Sequence, residues 1–272
     1  MDNTKLEIEK LRCRLENRVV GRRIIYHQVL ASSMDEVHKL AMEDGSEGTV
    51  VVASEETAAR GRFGRTWISS PGKNLSFSVL LRPKAAQMNY LNMATTLAVW
   101  ESIKAFPGLM PTIKWPNDIL VRGRKISGIL IESDIAAEEL RYAVVGVGIN
   151  VNFDPSQHQE IACTATSLYL ETGLLFNRTE LLGAVLEKID DHYESVKRGE
   201  SLTRRWADQL ETIGHNVRVK WKGKTLEGKA RGVDEQGNLV LVRVDGTTVT
   251  VLAGEVTMQL GLNLEDSYCG KI

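Results

Sequence analysis

Residues 217–252 read VRVKWKGKTLEGKARGVDEQGNLVLVRVDGTTVTVL, and their texture differs from that of the chain before Gly214. Apolar and β-branched residues gather in short runs at 217–221, 225–231, 239–244 and 247–252. Turn chemistry separates these runs at Lys222-Gly223-Lys224, at 234–238 and at Asp245-Gly246. Short strands at even spacing with Gly and Asp turns predict a small β-barrel. Upstream, helical and strand-like periods are mixed, so the whole predicts an α+β fold with two structured parts.

Working back from the barrel, Leu181, Val185, Ile189 and His192 mark a long helix, and a shorter one is expected over 202–210. Residues 143–151 form a β-rich run broken by Gly146 and Gly148. Residues 119–121 and 126–131 flank Arg122-Gly123-Arg124-Lys125, a hairpin with a basic turn. Leu91, Thr95, Ala98, Val99 and Ile103 recur at helical spacing and stop at Pro107-Gly108. Residues 75–81 alternate in a mostly period-two strand, and Val50-Val51-Val52 has the density of a buried one. Ser33 and Glu36 have capping-box spacing, which predicts a helix from there to about Glu43, after a strand at Ile24-Ile25-Tyr26. In residues 4–18, Ile8, Leu11 and Leu15 share one stripe of a short amphipathic helix. That helix is too short for a separate DNA-binding domain, for which about 40 residues is the usual floor. The expected division is a helical extension over 1–23, the main unit over 24–212, the barrel over 213–262 and a tail over 263–272.

The 272 residues are 43% hydrophobic and 25% charged, which supplies a core and excludes disorder throughout. A formal net charge of -1 argues against a globally basic nucleic-acid binder. Cys13, Cys163 and Cys269 are far apart and form neither a CxxC metal pair nor a disulfide framework, which fits a reducing cytoplasm. No apolar run approaches the roughly 20 residues that span a bilayer, and the first ten residues lack a signal peptide's apolar centre. The expectation is a soluble cytoplasmic protein with no membrane partner.

Four stretches carry chemistry. Arg60-Gly61-Arg62-Phe63-Gly64-Arg65-Thr66-Trp67 follows Glu55-Glu56-Thr57-Ala58-Ala59. Its glycines let the backbone come close to a ligand, and its arginines offer planar forks to carboxylate or phosphate oxygens. The same composition fits a solvated surface loop or a nucleic-acid contact equally well. In Lys114-Trp115-Pro116-Asn117-Asp118, Asn117 can donate and accept at once, as an adenine edge requires, and Asp118 could act on a metal or an arginine. A plain structural corner accounts for that stretch too. In Arg124-Lys125-Ile126-Ser127-Gly128-Ile129-Leu130-Ile131-Glu132, a lysine leading into an apolar strand could orient a substrate carboxylate, or simply be exposed. In Gly146-Val147-Gly148-Ile149-Asn150-Val151-Asn152, the glycines lack the third glycine and helix of a dinucleotide fingerprint. They fit a strand approached closely by a flat ligand.

In this order the four stretches resemble the biotin–protein ligases, or biotin–[acetyl-CoA-carboxylase] ligases. The resemblance runs from about Tyr26 to Gly261, where Ala253-Gly254-Glu255-Val256 looks like the family's closing Gly-Glu segment. It implies a mixed sheet flanked by helices, like the class II aminoacyl-tRNA synthetase core, and a terminal barrel of the Src-homology type. It also implies the monofunctional form, without the winged helix of family members that repress transcription. Residues 24–212 then become the catalytic biotin- and ATP-binding domain.

The implied chemistry activates biotin with ATP as biotinyl-5'-AMP, with Mg accompanying the phosphates, and passes it to a lysine of a biotin carboxyl carrier protein. Two anionic reactants must meet, so positioned cations offset their repulsion and a loop shields the adenylate from water. By resemblance, Ser32, Ser33 and Met34 line the ureido end of the biotin pocket. Glu56, Arg60, Gly61, Arg62, Lys125 and Gly128 complete the biotin site, with Lys125, Arg60 and Arg62 as the catalytic set. Arg60, Arg62, Arg65, Trp67, Asn117 and Asn150 face ATP or the adenylate, and Asp118 is the candidate metal ligand. The partners are biotin, ATP and the carrier, with no specific DNA, in a monomer or homodimer. Competing readings are a lipoate or octanoate ligase of the same superfamily, and a nucleic-acid module using the Arg/Gly loop and the basic edge Arg218, Lys220, Lys222 and Lys224.

The family usually has Gln-Thr-Ala-Gly where this chain has Glu56-Thr57-Ala58-Ala59. Glu56 adds charge near an anionic substrate, and Ala59 is restricted at a position where glycine is usual. Glu56→Gln combined with Ala59→Gly is therefore expected to lower the biotin Kd, and titration calorimetry checks it.

Overall fold

Val145, Val147 and Ile149 face one way from their strand and Val144 the other, and all are buried, so this strand has neighbours on both faces. The computed structural model describes residues 5–137, 139–221 and 223–258. Seven strands form the main sheet: β1 (Ile24–Leu30), β2 (Val50–Glu56), β3 (Leu75–Leu81), β4 (Pro111–Lys114), β5 (Asp118–Val121), β6 (Arg124–Ala136) and β7 (Glu139–Ile149). Their order is β1-β2-β3-β7-β6-β5-β4. β1 and β2 run parallel and all other neighbours antiparallel, which makes the sheet mixed, as expected.

The helices are α1 (Ile8–Leu15), α2 (Ser33–Met42), α3 (Met88–Lys104), α4 (Leu168–Thr172), α5 (Arg178–Lys197) and α6 (Thr203–Ala207). α3 and α5 bury the face that carries Val50, Val52, Phe77, Val79 and Val145. α2 lies on the opposite face, over β2, β3 and β7, against Val51, Leu80 and Val144. Because α2 covers only part of that face, the floor toward β6 and β5 stays open to a cavity. The amphipathic stripe of the N-terminal segment docks through Leu11 and Leu15, both fully buried. Arg14 ties it to Glu187 at 2.7 Å and to Glu180 at 3.1 Å on α5.

Several expectations need correction. Ser33 does not cap α2: Ser32 stands at the N-cap with extended backbone, and no side chain caps the helix. Ser33 is turned into the interior, where its Oγ meets the Ser78 Oγ at 2.8 Å. β3 alternates in chemistry but not in exposure, since every residue is buried; Ser76 and Ser78 point to the cavity face rather than to solvent. The hairpin turn is Arg122-Gly123, with φ of 50° and 73°, so Lys125 lies inside β6 and not in the turn. β7 begins at Glu139, earlier than the apolar run, and β4 had no pattern of its own because four residues are too few for one. The helix expected over 202–210 is limited to Thr203–Ala207. Cys13 is free and exposed.

The second sheet holds β8 (Asn216–Trp221), β9 (Lys224–Val233), β10 (Leu239–Val242), β11 (Thr248–Val251) and β12 (Glu255–Met258). It is antiparallel with the order β11-β10-β9-β8-β12, leaving β11 and β12 as the two ends among the described residues. Trp115 joins the sheets: buried beneath β4, it donates from Nε1 to the Gly237 carbonyl at 2.9 Å. The tail from 263, together with Lys222, Gly261 and Cys269, lies outside the described residues. Among the described residues no helix is long and apolar enough to cross a membrane.

Glu101 on α3 is the ionic junction of the helical layer, within 3.1 Å of His192 and Lys188 on α5 and 2.7 Å of Arg205 on α6. Burial pushes its carboxyl up, but the His192 hydrogen bond and the surrounding cations outweigh that and bring it down to about 2 from 4.5. A depressed carboxylate contributes stability that is complete above the unfolded value and is lost as pH falls toward the folded one. Urea unfolding is therefore expected to show a loss of about 3 kcal/mol between pH 4.5 and 2 that Glu101→Gln lacks.

Candidate active site

Residues 57–67 leave β2 as a narrow flap. Its stem is tied by Trp67 N–H to the Ala59 carbonyl at 3.0 Å and by Gly61 N–H to the Arg65 carbonyl at 2.7 Å. Two left-handed residues, Phe63 (φ 58°) and Gly64 (φ 72°), make its tip, and Phe63 is 62% exposed. A bulky side chain in that region is uncommon and holds the tip in one tight shape. The Arg62 guanidinium lies 4.8 Å from the Phe63 ring centroid.

The three flap arginines all point at protein partners. Arg60 makes a fork with Glu132, Nε to Oε1 at 3.2 Å and Nη2 to Oε2 at 3.0 Å, and its Nη1 reaches Asp35 at 2.6 Å and Ser32 Oγ at 3.3 Å. The Glu132 hydrogen bond, the largest influence, holds the guanidinium above its usual pKa and pulls the Glu132 carboxyl below the ordinary range. His38 completes the cluster, with Nε2 at 2.9 Å from Glu132 and Nδ1 at 3.3 Å from the Tyr142 hydroxyl. Arg62 is the most buried of the three; burial lowers its pKa, and its Nη1 donates to Asn117 Oδ1 at 3.0 Å. Arg65 pairs with Glu255 on β12, bringing the second sheet to the flap.

The floor is made by glycines. A Cβ on Gly146 would fall 2.7 Å from the Met34 sulfur, and one on Gly148 would fall 2.4 Å from the Trp67 indole. The flat group seated on Gly148 is the protein's own tryptophan, where the sequence suggested a flat ligand. Trp67 bridges from Gly148 to Gly128, under the Lys125 ammonium at 5.7 Å, and its buried Nε1 has no partner. At the α2 end, Glu56 Oε1 accepts from the Ser33 N–H, the favourable end of the helix for an acid. An amide oxygen could accept that bond too. Ala59 is not among the left-handed residues, so its side chain carries no conformational cost and the expected gain from Ala59→Gly disappears.

Lys125 reaches the cavity from β6. Its Nζ lies 2.7 Å from Asp118 Oδ1, so Asp118 is the lysine's counter-ion. The ladder between β5 and β6 slips between Ile119 and Leu120, so Ile126 is an extra residue beside Lys125. A bulge of this kind re-aims the neighbouring side chain. Asn117 is held by its own β6 neighbour, Nδ2 donating to the Ile129 carbonyl, and Asn150 donates to the Thr166 carbonyl at 2.9 Å.

These groups line one cavity of about 530 Å³. Ser32, Ser33, Met34, Glu56, Arg60, Gly61, Arg62, Arg65, Trp67, Asn117, Asp118, Lys125, Gly128 and Asn150 all border it, although the sequence spreads them over 119 positions. Sequence reasoning gave no role to Ser78, Asp35, His38 or Glu132. Ser78 had a signal in the alternation of β3, and Glu132 closed the Lys125 stretch; Asp35 and His38 had none.

The pattern of the Biotin/lipoate A/B protein ligase family matches residues 27–150, and that of the biotin protein ligase C-terminal domain matches 212–258. The bifunctional ligase/repressor BirA of Bacillus subtilis is 35% identical over 247 residues, 89% of this chain and 76% of that protein. The chain belongs to the biotin protein ligases. The biotin–[acetyl-CoA-carboxylase] ligase of Mycobacterium tuberculosis is 33% identical over 84% of this chain and 86% of its own length. A solved biotin protein ligase from Aquifex aeolicus, in complex with biotin and ATP, has a TM-score of 0.75 at 28% identity, covering 88% of this chain and 100% of that one. The family-wide pattern spans biotin and lipoate enzymes, while the Mycobacterium tuberculosis relative and the Aquifex aeolicus structure are named for biotin.

In this ligase the Arg60 cluster fixes the flap stem, and a hydrogen bond to a charged group is worth about 1.5 kcal/mol. Glu132→Ala is therefore expected to raise the rate of limited trypsin cleavage within residues 60–65 by about tenfold. Digestion followed by mass spectrometry reads the change.

Proposed function

We propose that this ligase joins biotin to a lysine of a biotin carboxyl carrier protein at the expense of ATP. The observation that carries the reading is the convergence of the Lys125 ammonium and the Arg62 guanidinium on one cavity beside the flap, over a glycine floor. Residues 24–212 serve as the catalytic domain, 213–262 as the terminal barrel, and 1–23 as a docked extension. The relatives named for biotin support that substrate over lipoate.

In this reading the biotin carboxylate replaces Asp118 as the partner of Lys125, and the ureido ring lies toward Ser32, Ser33 and Glu56. An oxygen of that carboxylate attacks the α-phosphorus of ATP. The new carboxyl oxygen–phosphorus bond forms as the bridge to the β-phosphate breaks and pyrophosphate leaves. Arg62 faces the charge that builds on the phosphoryl oxygens, and a cation in a partly buried site is worth more there than in water. Lys114, at the end of β4 on the same cavity, is placed to meet phosphate as well. Asn117 and Asn150 stand on the nucleotide side. The carrier's lysine, as the free amine, then attacks the carbonyl carbon, the amide bond forms, and AMP leaves with the electron pair.

No group of three or more His, Cys, Asp or Glu able to hold a metal occurs among the described residues. Magnesium is read here as part of the MgATP substrate, which suits an ion that binds through phosphates and water. A cytoplasmic setting, where ATP is abundant, goes with this reading.

The test is ATP-dependent transfer of labelled biotin to a carrier-domain fragment, with pyrophosphate exchange run on biotin and lipoate in parallel. Lys125→Ala and Arg62→Ala are each expected to lower kcat/KM by about 100-fold. Absence of transfer, or equal exchange with lipoate, overturns the reading.

A further inference from the structure

Glu171 is the acid that the proposed chemistry leaves unused. It sits on the single turn of α4 with its side chain 0% exposed, and it is not part of the cavity wall. Arg124 Nη2 approaches it at 2.7 Å and Arg122 Nη1 at 3.4 Å, and the Thr166 hydroxyl donates to Oε1 at 2.6 Å. A buried carboxylate is costly unless it is paired and hydrogen-bonded, so its place in the fold depends on these three partners.

Those partners flank Lys125 on both sides. Arg124 is the residue before it on β6, and Arg122 is in the turn that feeds the strand. Thr166 belongs to the segment that brackets Lys125 from the other side: Lys125 N–H donates to the Thr164 carbonyl, and Thr166 N–H donates to the Lys125 carbonyl, both at 2.8 Å. The same Thr166 offers its carbonyl to Asn150. Arg122, Arg124 and Lys125 are also three cations within four positions, and Glu171 is the acid that pairs with the first two.

We propose that Glu171 is a positioning residue: by drawing Arg124 and Thr166 together behind β6, it sets where the Lys125 ammonium stands in the cavity. The inference rests on the biotin role of Lys125 given above. Misplacement by about an ångström of a group that orients a reactant costs up to a hundredfold, so the effect belongs in substrate capture.

The experiment uses the full chain with Glu171→Gln and Thr166→Val, each removing one part of the buttress with little change of shape. Glu171→Gln is expected to raise the biotin KM by about tenfold while kcat stays within about threefold, and Thr166→Val to act less strongly in the same direction. The double variant is expected to fall short of the product of the two effects. Amide hydrogen exchange over residues 122–128 is expected to quicken in Glu171→Gln. A biotin KM within about twofold of the parent overturns the proposal, as does an equal loss across biotin and ATP that follows the melting temperature. Should Glu171→Gln fail to fold, Thr166→Val and its exchange pattern decide on the same terms. A parent without biotin-dependent turnover sinks the functional reading instead; unchanged exchange would then sink the buttress too.

Discussion

Cations gathered round one cavity repel each other, and repulsion between partly buried charges is weakly screened. The fold gives four of them partners: Glu132 and Asp35 for Arg60, Asp118 for Lys125, Glu255 for Arg65, and the Asn117 amide for Arg62. These partners differ in strength, and the difference sorts the cations by role. Arg60, clamped by two carboxylates and a hydroxyl, is an anchor for the flap stem. Arg62, Arg65 and Lys125 each keep a single partner, and in the proposed reaction Arg62 and Lys125 are the two that meet the incoming anions.

The sheet supplies the second half of the site. α2 leaves the β6 side of its face bare, and glycines at 128, 146 and 148 lower the floor so that Met34 and Trp67 can lie flat on it. Serines on the same face, Ser76 and Ser78, keep the deepest part of β3 polar although it is fully buried. A polar stripe inside a doubly covered strand is expensive to maintain, and it is found where the cavity needs hydrogen-bonding groups.

Much of this was legible in the residues. The glycine pair of β7, the basic turn before β6 and the Arg/Gly flap all stood out because their chemistry is local to a few positions. The α+β class and the separate terminal strands followed from periodicity, and the mixed sheet from the family resemblance. What stayed hidden depends on distance along the chain: Asp35 and His38 look like ordinary helix-surface residues until α2 brings them to Arg60. Ser33 was misread as a cap because Ser32 and Ser33 carry the same hydroxyl, and only the direction of the helix start tells them apart. Ala59 was misread because a family habit of glycine does not by itself set the backbone angle at that position.

The pairing of Arg65 with Glu255 gives the terminal sheet a say in how the flap rests, since the contact crosses from the first sheet's loop to the last strand described. The two halves of the molecule are thus poor candidates for independent exchange between distant relatives. A transplanted barrel would have to bring an acid to the same spot, or the host's loop would be left with an orphan guanidinium at the mouth of its own active site.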